Sequence, residues 1–243
     1  MRVVYGMKQI VLIIGTGGIG AACARSYAAS GQTVVLAGRS LTKAEDIVRE
    51  LNAAGGDAFA FQCDVTDPAS VTLLADTVQR ELGRIDVLVN AFGVGMIQPI
   101  PDIDPQAVRR VMDVNVNGTI FATQSVLKHM VAQKSGAIVM IPGILGKHVM
   151  RHSSIYSASK FAVTGFAKAL VEEHRRNGIR VSLLYLGGVS TPFWDNPDVQ
   201  MKVQTDKMLT AEEVADAVRF ACDRPGTSVL NEIVLQPESH QLI

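Results

Sequence analysis

Charge of one sign, cysteine and long apolar runs are all scarce in this sequence, and each scarcity excludes something. The 23 basic and 23 acidic residues cancel, and no basic tract interrupts the balance. A nucleic-acid binder, which needs a clustered basic face, is therefore not expected. The three cysteines, Cys23, Cys63 and Cys222, are odd in number and far apart. They make no disulfide framework and point to a reduced, cytoplasmic compartment. The apolar run Ile10–Ile14 is five residues long and ends in a glycine cluster. That is too short for a membrane-spanning helix or a signal-peptide core, so no membrane partner is expected. Linkers, low-complexity tracts and internal repeats are missing too.

What is present is a chain of 243 residues, 48% hydrophobic, with no net charge. Such a composition excludes disorder, and a chain of this size buries about three quarters of its unfolded surface in one core. Strand-like runs fall at Ile10–Ile14, Thr33–Ala37, Ala58–Gln62, Val87–Val89, Ala137–Ile141, Val181–Tyr185 and Ile233–Leu235. Helical patterns such as Ile19–Ser30, Thr42–Ala54 and Ala69–Leu82 separate them. Strand alternating with helix predicts an α/β fold: one doubly wound Rossmann-type domain over residues 1–243, with a central parallel sheet of about seven strands. Residues 1–6 read as a short arm. Residues 187–207, with two prolines, Phe193 and Trp194, read as a substrate loop.

Between the first strand and first helix lies Gly15-Thr16-Gly17-Gly18-Ile19-Gly20. Gly15, Gly17 and Gly20 fit the G-x-G-x-x-G spacing, in which glycines allow a tight turn, close approach of a pyrophosphate and close helix–strand packing. The helix start then faces the phosphates with free N–H groups. The second strand ends in Gly38-Arg39-Ser40, with no acidic residue to bind the adenosine ribose. Arg39 and Ser40 offer a cation and a hydroxyl instead, with Lys43 as an accessory cation, so NADP(H) is preferred over NAD(H). Asp64, in Cys63-Asp64-Val65, is placed either to accept from the adenine amino group or to cap the next helix, where Asp67 is better positioned.

On these features the chain resembles the classical short-chain dehydrogenase/reductase family over essentially its whole length. Further matches are Asn90-Ala91-Phe92-Gly93, Asn115 in Asp113-Val114-Asn115, Tyr156-Ser157-Ala158-Ser159-Lys160, and Gly187-Gly188-Val189-Ser190-Thr191-Pro192. The resemblance implies that Gly18, Ile19, Val65, Asn90, Gly93, Val189 and Thr191 join the cofactor site. It also implies a homodimer or homotetramer. Tyr156 becomes the acid/base, and Lys160, four residues on, shares its helix face. A cation there is expected to lower the phenol pKa from about 10. The resemblance further has Lys160 bind the nicotinamide ribose, Asn115 hold a relay water, and Thr191 meet the carboxamide. Phe193, Trp194 and Met201 are candidates for an apolar substrate lid. His148 and His152 lie in a loop without a nearby carboxylate, so no metal is expected.

The chain also departs from the family pattern. The first glycine of the usual motif aligns with Ile14, and Gly15 replaces it in a turn one residue shorter. The catalytic serine position, thirteen residues before the tyrosine, holds Gly143. Ser153 or a backbone N–H of Gly143 or Ile144 are the possible substitutes. Losing one such donor costs about 10²–10³ in kcat, and Gly143→Ser is expected to raise the rate if the turn tolerates it. The sequence thus predicts an NADP(H)-dependent oxidoreductase of moderate or low rate, acting on a small carbonyl or secondary alcohol. The alternatives are a weak or inactive NADP(H)-binding sensor and, with less support, a dehydratase or epimerase.

Overall fold

A computed structural model describes residues 8–224 and 228–242; the expected arm, residues 1–6, lies outside the described residues. The strands are β1 (Ile10–Ile14), β2 (Thr33–Gly38), β3 (Asp57–Gln62), β4 (Val87–Asn90), β5 (Gly136–Met140), β6 (Ile179–Leu186) and β7 (Glu232–Leu235). Among the described residues they form a seven-stranded sheet in the order β3-β2-β1-β4-β5-β6-β7. Every pairing is parallel. The helices are α1 (Gly18–Ala29), α2 (Leu41–Ala53), α3 (Pro68–Leu82), α4 (Pro105–Met112), α5 (Gly118–Gln133), α6 (Ser154–His174) and α7 (Ala211–Cys222).

The alternation along β1 sorts the core into two layers. Val11 and Ile13 pack with α1, α2 and α7, whereas Leu12 and Ile14 pack with α3, α5 and α6. Central strands are therefore apolar on both faces, and all five residues of β1 are buried. Edge strand β7 instead alternates exposed with half-buried positions, and edge strand β3 mixes buried, half-buried and exposed ones. Helix starts follow local chemistry. Asp67 accepts from the Ala69 N–H with Pro68 at the first turn, Asp104 does the same for Gln106 ahead of Pro105, and Thr210 and Glu213 form a reciprocal capping box on α7.

The strand order reverses between β1 and β4, which opens a crevice beyond their carboxyl ends. The turn from β1 into α1 borders it. Gly15 has φ +123°, a conformation that L side chains rarely adopt, and its N–H donates to the Ala37 carbonyl at 2.8 Å. A Cβ on Gly20 would overlap the Gly15 carbonyl oxygen. The absence of a side chain there brings α1 down onto the turn. Gly20→Ala is expected to destabilise the fold by about 1–3 kcal/mol or more, because the obstacle is backbone. Thermal unfolding checks this, and an unchanged melting temperature contradicts it.

Candidate active site

A cleft of ≈ 600 Å³ runs from Gly17 and Gly18 past Gly93, Tyr156 and Lys160 to Thr191 and Trp194. Its first wall is the α1 N-terminus. Gly17 is the N-cap residue, with no side-chain cap, and a Cβ on it would meet nothing within 4 Å. Backbone donors thus face open space. A Cβ on Gly18 would come within 2.7 Å of the Thr191 methyl, so the loop after β6 packs directly against this turn. Gly15 and Gly20 shape the turn and do not line the cleft, whereas Ile19 does.

At the β2 end, Arg39 and Lys43 are both exposed and both line the cleft. Neither ammonium nor guanidinium has an ion-pair partner among the described residues. The Ser40 hydroxyl caps α2, accepting from the Lys43 N–H at 3.2 Å, and does not line the cleft. Asp64 borders a neighbouring hollow of ≈ 370 Å³ together with Arg39, Arg109 and Val114. Its carboxylate accepts from the Thr66 N–H (2.9 Å) and hydroxyl (2.7 Å), and these bonds hold it below the usual carboxylate range. Val65 lies beneath, packed beside Gly118. Asn90, at the end of β4, is buried. Its Nδ2 donates weakly to Thr123 at 3.4 Å, and its Oδ1 has no partner.

Behind the loop after β4 lies a π-helical turn, Asp113–Asn117, between α4 and α5. Such turns add one residue to a helix and recur at functional sites. Here the turn directs the buried Asn115 side chain at the loop after β4. Its Oδ1 accepts from the Val94 N–H (2.8 Å), and its Nδ2 donates to the Val94 carbonyl (2.9 Å) and to Ser159 (3.1 Å). Ser159 belongs to α6, so Asn115 links the β4 loop to the helix carrying Tyr156 and Lys160.

The Lys160 ammonium donates to the Ile141 carbonyl at 3.1 Å and stands 5.4 Å from the Tyr156 ring centroid. Burial pushes Lys160 down from 10.5 to about 8. It pushes the Tyr156 phenol up, above its ordinary value. This corrects the expectation that Lys160 lowers the phenol. The ammonium is itself desolvated and bonded to a carbonyl, so burial outweighs its attraction. Phe193 lies across the Tyr156 ring at 5.9 Å between centroids, and Trp194 meets Phe193 edge-on at 5.1 Å. The Trp194 indole N–H donates to the Val189 carbonyl at 2.8 Å, which fixes the loop at the cleft wall.

Gly143 lines the cleft, with φ +67° and ψ 175°. Its N–H is turned to the Leu184 carbonyl at 3.3 Å. Ser153 is not brought to the cleft. It is fully buried, donates to the Met150 carbonyl at 2.6 Å and bonds Ser157 at 2.8 Å. The reason is that α6 begins at Ser154, which turns the preceding side chain back under its own loop. The sequence reading missed Met150, Met208 and, above all, the tail residues Gln236, His240 and Leu242 in the cleft wall. The one available signal was the eight residues, 236–243, that follow the last strand-like run in the sequence.

The sequence pattern of the short chain dehydrogenases matches residues 9–201. The chain is 33% identical over 241 residues to a sepiapterin reductase of Chlorobaculum tepidum, covering 96% of this chain and 98% of that one. Two solved structures are also similar. A metagenomic short-chain oxidoreductase in complex with NADP superposes with a TM-score of 0.82 at 29% identity, covering 94% of this chain and 96% of that one. An actinorhodin polyketide ketoreductase variant with NADPH gives 0.85 at 28%, covering 93% and 95%.

The dihedrals of Gly143 lie in a region that is essentially glycine-only, although a Cβ would have room, 3.7 Å from the Leu186 carbonyl oxygen. The obstacle to Gly143→Ser is therefore backbone strain, not crowding. The substitution is expected to cost about 1–3 kcal/mol, lowering the melting temperature by about 2–4 °C per kcal/mol. A serine variant as stable as the parent chain contradicts the turn geometry.

Proposed function

The chain belongs to the short-chain dehydrogenase family, and from that premise we propose that it is an NADP(H)-dependent oxidoreductase interconverting a carbonyl and a secondary alcohol. The observation carrying this reading is continuity. One cleft joins the uncapped α1 N-terminus to Tyr156 and Lys160. The residues present fit a dinucleotide phosphate. Space over Gly17 admits a pyrophosphate to the backbone donors. Arg39 and Lys43 offer cations for a 2′-phosphate, and two similar solved structures hold NADP or NADPH. Asp64 and Val65 would sit on the adenine side, Asn90, Gly93, Val189 and Thr191 along the nicotinamide half. When bound, the nicotinamide supplies or accepts the hydride.

The chain's own residues manage the proton. At neutral pH the raised phenol of Tyr156 keeps its proton and can donate it to a carbonyl oxygen. The phenolate left behind is stabilised by the Lys160 ammonium. Asn115 is a positioning residue, clamping Val94 and Ser159 so that loop and helix keep their spacing. With no hydroxyl at Gly143, and its own N–H turned to Leu184, the main-chain N–H of Ile144 is the donor we assign to the substrate oxygen. One weak donor in place of a serine favours a slow enzyme. The same gap favours the second reading, an NADP(H)-binding sensor. The molecule would act on small carbonyl or alcohol compounds as a cytoplasmic homodimer or homotetramer; Phe161, exposed on α6, belongs to the face we assign to self-association.

A carbonyl panel assayed with NADPH and NADH tests this. Tyr156→Phe is expected to cut kcat by about 10²–10⁴ while retaining NADPH binding. NADPH should bind about ten- to a hundredfold more tightly than NADH, a preference that Arg39→Leu weakens. Lys160 is charged below its lowered value and neutral above it, so carbonyl reduction should fall as pH rises through about 8. Wild-type turnover by Tyr156→Phe, or equal affinity for the two cofactors, overturns the assignment. Tight NADPH binding without turnover of any carbonyl leaves the sensor.

A further inference from the structure

Beyond β7 the chain turns back across the cleft instead of leaving the molecule. A Cβ on Gly187 would meet Pro237 at 2.6 Å, so the tail packs against the end of β6. Ser239 donates to the Lys207 carbonyl at 3.1 Å. Gln236 grips Leu242 at both ends of its amide. Its Nε2 donates to the Leu242 carbonyl (3.0 Å), and its Oε1 accepts from the Leu242 N–H (2.8 Å). The His240 N–H donates to the Pro237 carbonyl at 3.2 Å. This clasp closes the tail into a loop and sets His240 and Leu242 in the cleft wall.

The charges along that wall are unequal in sign. Arg39, Lys43, Lys160 and His240 line it, and no aspartate or glutamate does among the described residues. The sheet order separates their tasks. β2 and β7 lie five strand spacings apart, about 24 Å, on opposite sides of the β1/β4 crevice. Arg39 and Lys43 follow β2, at the cofactor end, whereas His240 belongs to the tail that follows β7. Ile141, to which Lys160 is bonded, follows β5, two spacings or about 10 Å from β7. Between them the wall is apolar, with Phe193, Met201, Met208 and Leu242. The His240 ring makes no hydrogen bond or ion pair among the described residues, so its ring nitrogens remain available to a ligand.

We propose that His240 is a specificity-determining residue, held in the cleft wall by the Gln236–Leu242 clasp, and that it selects apolar carbonyl compounds carrying a carboxylate several bonds from the reacting carbon. The inference rests on the oxidoreductase reading of the cleft. An apolar wall binds the body of such a compound, and the N–H donor pairs its carboxylate. Among the described residues the wall carries no aspartate or glutamate to repel the anion.

Benzoylpropionate and its methyl ester distinguish the carboxylate from the rest of the molecule. With NADPH, the wild-type protein should favour the acid in kcat/KM. His240→Ala should reduce the acid-to-ester ratio about tenfold or more. His240→Arg, which keeps N–H donors at this position, should keep the preference. Gln236→Ala should reduce the ratio by loosening the tail, which a purely structural loss, lowering both rates together, would not do. Phenylbutyrate has no ketone, and its calorimetric titration into NADP⁺-saturated protein reads the same contact without turnover. Weaker binding by His240→Ala in a protein that reduces neither ketone upholds the tail contact and removes the reductase reading. Turnover of both ketones with an unchanged ratio overturns the inference and keeps the reductase reading. Phenylbutyrate affinity unaffected by His240→Ala overturns it as well.

Discussion

The site depends on one close approach, the seating of Gly20 against the carbonyl of Gly15. A helix cannot come this near a turn if its first winding carries a Cβ at the contact. Because it does come near, the start of α1 lies at the mouth of the crevice where the strand order reverses. On the proposed reading, the orphan N–H groups of this helix start would form the phosphate-binding surface, with no cationic side chain needed there. Thr191 rests on Gly18 across the cleft, so the loop after β6 takes its position from the same turn. Through Val189, that loop also holds Trp194 and with it the aromatic pair over Tyr156.

The chemical end is organised by burial more than by charge pairing. Lys160 and Tyr156 share a helix face, yet their shifts are those of two desolvated groups: the phenol holds its proton more firmly, and the ammonium holds its own less firmly. At neutral pH such a phenol stays protonated, so on the proposed reading it enters the reaction as the acid form. Asn115 uses every donor and acceptor of its amide on Val94 and Ser159, which is what a rigid strut between loop and helix requires. The π-helical turn supplies the extra residue that aims it.

Much of this was legible in the residues because it is local. The boundaries of β1 agree with its apolar run, and Asp67, preferred over Asp64 as a cap, does cap α3. Gly15 was marked as replacing the usual glycine, and its positive φ gives the reason. Other features depend on where distant segments meet. Ser153 looked like a substitute hydroxyl by spacing, but the start of α6 one residue later turned it toward Met150. Ser40, expected beside the phosphate, also caps α2, a second role that its spacing from Arg39 did not reveal. The lowered tyrosine followed from a charge argument that left out the desolvation of the charge itself. The tail carries no periodicity; the packing of Pro237 beside Gly187, the Gln236–Leu242 clasp and the Ser239–Lys207 bond bring His240 back to the cleft.

The central claim is that the uncapped start of α1 receives the phosphates of a dinucleotide. Gly17 tests it because two physical effects there have opposite consequences. Its backbone, φ −73° and ψ −178°, suits any residue, and a Cβ there would meet nothing within 4 Å beyond its chain neighbours. Aspartate is a favourable N-cap, so Gly17→Asp should fold with equal or slightly greater stability. The same carboxylate would stand against a pyrophosphate, a repulsion of about 4 kcal/mol at 4 Å in a surface-like dielectric. NADPH titration of the two proteins is the measurement. The account predicts that Gly17→Asp melts no lower than the parent chain and binds NADPH at least about a hundredfold more weakly. Undiminished NADPH affinity in that variant would contradict it.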